Sequence, residues 1–109
     1  MTILKDKIQK FEYTLRQEKL RQLRAEATKY HQVYKTSYRE LKETLVENVK
    51  EFNPDRFYVN LNPQERKVLK RRGLLVNYLK TMHKMNDARI RHHSLNHKIK
   101  MVRKVDIPE

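Results

Sequence analysis

Three histidines fall within six residues, His92, His93 and His97. On a helix His93 and His97 stand four apart, a spacing that brings two imidazoles to one face and suits a zinc ion. The third ligand is missing. The nearest acid is Asp87, and no glutamate stands between the histidines as a helical metalloprotease motif requires. The sequence therefore assigns no metal. His92 falls on an apolar stripe and reads as a packed histidine. His93 and His97 read as hydrogen-bond donors to a phosphate or to a neighbouring chain.

Other catalytic chemistry fares no better. Ser37 and Ser94 are the only serines, and neither has a positioned Asp–His pair. A single glycine, Gly73, excludes a phosphate-cradling glycine loop. Glu40 and Glu43 fall on a solvated helix face, where nothing drives their acidities apart. The expectation is a non-catalytic protein with no cofactor and no small-molecule substrate.

What remains is ionic. The 109 residues carry 26 Lys+Arg against 13 Asp+Glu, net +13, with an isoelectric point near 10.1. A charge of that size repels itself in a compact monomer and calls for a polyanion. It is unevenly spread, net +4 over residues 1–52 and +11 over residues 63–105. The candidate contacts are Arg66, Lys67, Lys70, Arg71, Arg72, Lys80, Lys84, Arg89, Arg91, Lys98, Lys100, Arg103 and Lys104, with His93 and His97. Cations on several sides of one helix suit a phosphate backbone, and such contacts position a nucleic acid without reading its sequence.

These side chains need long helices to hold them. Residues 3–52 contain neither Gly nor Pro. Apolar residues recur there at steps of three and four: Leu4, Ile8, Phe11 and Leu15, then Leu20, Leu23, Ala27, Tyr30, Tyr34, Tyr38, Leu41, Leu45, Val49 and Phe52. One step of five, from Leu15 to Leu20, shifts the phase of this helical stripe. A helix over 3–52 is a rod of about 75 Å at 1.5 Å per residue, which must lie along something. Tyr30, Tyr34, Tyr38, Leu41, Leu45 and Phe52, with Phe57 beyond the helix, are expected to pack on neighbouring proteins.

Residues 53–62 break the helix, because Asn53 precedes Pro54. Phe57, Val59 and Leu61 alternate with polar residues, as in an extended crossing, with Phe57 or Tyr58 pinned into the end of a hairpin. Asn62, Pro63 and Glu65 then form a helix start: a cap, a proline at the first helical position and an acid three residues after the cap. The amides behind Asn62 could hold an anion, with Glu65 as competitor. A second helix is expected over 63–105, seamed by Val68, Leu75, Leu79, Met82, Met85, Ala88, His92, Leu95, Ile99 and Val102. Gly73 weakens it or marks a close backbone approach, and 85–88 offers an alternative kink.

The expected fold is all-α: two long helices, 3–52 and 63–105, joined by a short connector in an open hairpin or extended rod, without an independent globular core. There are no cysteines, and no apolar run is long enough for a transmembrane segment. The N-terminus lacks the apolar core of a signal peptide and, with Asp6 and Glu12, does not read as a cleaved presequence. The functional expectation is a structural subunit of a large ribonucleoprotein. Its basic second helix would lie on ribosomal RNA backbone and its first on neighbouring proteins. A peripheral ribosomal protein of the mitochondrion fits best, and such a chain should not be stable alone. The alternatives are a protein on an acidic lattice such as a microtubule or axoneme, and an accessory subunit of a respiratory or ATP-synthase complex.

Overall fold

A computed structural model describes residues 2–105 and the side chains of residues 6–103. Three helices follow in order: α1 (Thr2–Asn48), α2 (Pro63–Arg71) and α3 (Leu75–Val105). None of the described residues forms a strand. The chain is all-α, with two long helices and a connector. Its long second helix is divided.

Helix α1 runs unbroken because nothing in it interrupts the backbone ladder. It stops at Asn48, four residues before the expected end. There the Asn48 side chain turns back to donate to Thr44 O at 2.8 Å, and it accepts from Arg72 Nη1 at 3.0 Å. Glu51 then enters the left-handed region, with φ 64°. Past it, Asn53 organises a turn over Pro54: its Oδ1 accepts the Asp55 amide and its carbonyl the Arg56 amide, both at 3.0 Å. A helix that has to turn before a proline ends early, and Asn48 supplies the polar partner at that point.

The start of α2 is as the sequence indicates. Pro63 occupies the first helical turn, the Glu65 amide donates to Asn62 Oδ1 at 2.8 Å, and the Asn62 amide donates to Glu65 Oε1 at 3.0 Å. The end of α2 departs from the expected continuous helix over 63–105. The Gly73 amide bonds Lys70 O at 3.1 Å and the Leu74 amide bonds Leu69 O at 2.9 Å, while Gly73 sits at φ 70°. This is a Schellman stop, with glycine in the left-handed position it requires. A Cβ built on Gly73 meets nothing within 4 Å, so the glycine is there for its backbone angle and not for a close approach. Helix α3 restarts at Leu75 and passes through 85–88 without a break.

The chain divides into two compact units, Met1–Tyr30 with Ile90–Glu109, and His31–Arg89. In the His31–Arg89 unit, Leu41 and Leu45 of α1, Val59 of the connector, Leu69 of α2, and Tyr78 and Met85 of α3 form one buried cluster. Tyr34, Tyr38, Val49, Phe52, Leu61, Leu74, Leu75 and Met82 close around it. The Schellman stop fits here, since Leu69 and Leu74, which flank it, belong to the same cluster. In the other unit, Leu20 and Ala27 of α1 meet Leu95 and Ile99 of α3, with Leu23, Tyr30 and Val102 around them. Burying one such leucine stabilises by about 1.5–3 kcal/mol, so each cluster is small.

The apolar stripe of α1 is used only after its phase slip. Ile8, Phe11 and Leu15 are exposed, whereas the residues from Leu20 onward are buried or half-buried. At roughly 100° per residue, a step of five carries the stripe about 140° round the helix, so the earlier residues face elsewhere. Leu4 lies outside the described side chains. On the second half of the chain, the expected seam from Val68 to Val102 is buried or half-buried except at Leu79, and Leu69 and Tyr78, outside it, are buried as well.

Candidate nucleic-acid interface

The helix with the densest cations is α2, with four in nine residues, and a buried ion pair fixes its orientation. Glu65 is only 4% exposed. Its carboxylate accepts from Arg56 Nη1 at 3.2 and 3.0 Å as well as from the Asn62 amide. Arg56 is itself held by Tyr58 O at 3.0 Å and Asn60 O at 3.4 Å, and its guanidinium lies 4.7 Å from the Phe52 ring centroid and 4.4 Å from that of Tyr58. A buried charge with hydrogen bonds on most of its valences is tolerated; an unpaired one is not.

This arrangement decides the electrostatics of α2. Its only acid points inward and is neutralised by Arg56. Leu69 is buried on the same side, and Val68 is half-buried beside them. Arg66, Lys67, Lys70, Arg71 and Arg72 are all exposed. One of them is engaged, Arg72 with Asn48. The outward side of α2 thus presents positive charge with no carboxylate of its own helix to offset it. The anion site expected at the start of α2 is different: Asn62 Oδ1 already takes the Glu65 amide, and the Glu65 carboxylate sits against the cap.

Along α3 the remaining candidates fall in both units. In the His31–Arg89 unit, Lys80, Lys84 and Arg89 are exposed. In the other unit, Arg91, His93, His97, Lys98, Lys100 and Arg103 are exposed, and Arg91 stands 5.6 Å from the Tyr30 ring centroid. The Lys104 side chain lies outside the described residues. His92 is half-buried, with Nε2 3.3 Å from Asn96 Nδ2, a packed position like the one expected. Among the described residues, no three His, Cys, Asp or Glu side chains are placed to share a metal ion. No helix among them is long and apolar enough to cross a membrane.

The residues expected to pack on partners divide. Leu41 and Leu45 are fully buried in the chain's own cluster, so their surface is spent internally. Tyr30, Tyr34, Tyr38 and Phe52 are half-buried against the two clusters. Tyr34 and Tyr38 stack with ring centroids 6.4 Å apart, and Tyr38 donates to Phe57 O at 2.6 Å, so its hydroxyl has a partner inside the chain. Phe57 is not pinned: it is 78% exposed. The residue pinned into the hairpin end is Val59, whose carbonyl accepts from Tyr78 Oη. Burial of Tyr78, and next the Glu65 carboxylate, push its phenol above the usual value, against an opposing influence of Arg56.

Arg56 and Tyr78 are the structural residues that the sequence pattern leaves unmarked. A lone arginine next to aromatics in a connector, nine residues before a capping glutamate, is the signal that could have found Arg56.

No protein-family model, no curated protein and no solved structure matches this chain.

Proposed function

We propose that the chain is a non-catalytic structural subunit of a large ribonucleoprotein, laid on RNA backbone through α2 and the exposed cations of α3. A peripheral protein of the mitochondrial ribosome is the setting that fits best. One observation carries the reading: Glu65, the sole carboxylate of α2, is turned inward and paired, so the four outward cations Arg66, Lys67, Lys70 and Arg71 stand without an acid of the same helix. Lys and Arg laid along phosphates release counterions, and the affinity they supply needs no base readout.

The test is binding of the full chain to a structured RNA across a salt series. A steep loss of affinity with salt is expected. A variant with Arg66, Lys67, Lys70 and Arg71 changed to Gln should flatten the log–log salt slope by about three, at somewhat under one per phosphate contact. Binding that ignores salt, or co-sedimentation with microtubules in place of RNA, would overturn the reading.

A further inference from the structure

The connector holds a feature that phosphate binding does not use. Phe57 and Tyr58 are 78% and 50% exposed, side by side on an irregular segment. Their rings meet edge to face, with centroids 5.6 Å apart and planes at 82°. The backbone beneath them is fixed from three directions. Tyr38 of α1 holds Phe57 O at 2.6 Å, Arg56 Nε holds Tyr58 O at 3.0 Å, and Tyr78 of α3 holds Val59 O. Arg56 in turn is locked to Glu65 of α2. Two large rings are therefore displayed on a support that loses little freedom when they are covered, the condition under which aromatic anchors bind well.

Charge indicates what covers them. On α1 the aromatic Tyr34–Tyr38 pair borders a shallow depression of about 470 Å³ that also holds Lys35, Arg39 and Lys42. Lys42 Nζ stands 5.8 Å from the Tyr38 ring centroid, and the Tyr38 hydroxyl bonds the backbone of Phe57. Acids are present as well, Glu43 and Glu47 in the depression and Asp55 in the connector. Even so, the His31–Arg89 unit carries thirteen Lys and Arg against seven Asp and Glu, or twelve against six with the Arg56–Glu65 pair set aside. Arg56 lies over the Tyr58 ring, and the exposed rings stand on a unit with an excess of cations, which matches a ligand with flat rings and a negative backbone. An apolar pocket of a protein matches only the rings.

We propose that Phe57 and Tyr58 are a stacking platform for unpaired bases, so that the chain takes RNA with an exposed loop or bulge in preference to a plain duplex. The proposal rests on the RNA-binding reading above and adds the class of RNA. Stacking is sequence-tolerant, because every base has a face to offer, and unpaired bases are the part of an RNA that a protein can reach.

The experiment compares the full chain with Phe57→Leu and with the double variant Phe57→Leu/Tyr58→Leu. Two labelled RNAs of equal length serve as probes, one with an unpaired loop and one a blunt duplex. Leucine keeps apolar bulk and removes the ring. The expected result is loop binding weakened about tenfold or more by the double variant, given the stacking energy per base, with duplex binding and the salt slope unchanged. Phe57→Trp should bind the loop RNA at least as well as Phe57. An unchanged melting temperature would show that the fold survives. If the leucine variants bind loop RNA as the parent does, the platform is overturned and the rings face something else, such as a pocket on a neighbouring protein. If salt-dependent RNA binding is itself absent, the broader reading falls and the platform with it.

Discussion

Changing Glu65 to Ala should destabilise the chain by about 4 kcal/mol. The carboxylate is buried, takes two contacts from Arg56 Nη1 and closes the capping box on Asn62. Removing one partner of a buried ion pair costs about 3–5 kcal/mol, because the other is left charged and dry. Arg56 would keep the carbonyls of Tyr58 and Asn60 and is 14% exposed, which places the loss at the lower end. Losing half of the capping box adds roughly 0.5–1 kcal/mol. For a domain of about this size each kcal/mol moves Tm by several degrees, so a drop on the order of 15 °C is expected. Urea unfolding followed by helical circular dichroism measures it, and a cycle with Arg56→Ala and the double variant isolates the pair. A coupling of about 2 kcal/mol is expected. Replacing both residues, Arg56→Met with Glu65→Leu, should restore much of the loss. A Glu65→Ala variant within 0.5 kcal/mol of the parent, or a coupling near zero, would refute the claim that this pair fixes α2.

Two further outcomes follow from the geometry. Gly73→Ala should destabilise by about 1–2 kcal/mol, because alanine resists the left-handed angle. In one continuous helix over 63–105 the same change would stabilise by about 1 kcal/mol, so the sign of the shift in urea midpoint decides between the two. Tyr78 has its phenol raised in the folded state, so the stability it contributes is complete below its unfolded value near pH 10 and is lost as the pH climbs above that. Melting temperature should therefore fall more steeply above pH 10 in the parent than in Tyr78→Phe, and equal slopes would show that the hydroxyl does not matter.

Where the sequence was legible, a local rule governed the chain. The start of α2 could be read from Asn62, Pro63 and Glu65, because capping is settled within four residues. The α1 seam from Leu20 to Val49 could be read from its period. The failures have one physical origin each. Gly73 has two uses, as a tolerated interior residue and as a left-handed stop, and only the bonds to Leu69 and Lys70 distinguish them. The pairing of Glu65 with Arg56 depends on a turn between them that no period describes. Phe57, Val59 and Leu61 alternate like a strand, but the connector forms no strand, so the period of two does not say which side chain goes inward. The basic surface was legible as composition. That α2 presents its cations without an outward acid depended on the fate of one glutamate.

The hydroxyls of Tyr38 and Tyr78 grip carbonyls, those of Phe57 and Val59. A peptide carbonyl is the same whatever residue bears it. At position 57, then, the fold specifies where the main chain passes and is silent on what it carries. The aromatic identity of that residue is not asked for by the main-chain bonds that hold it.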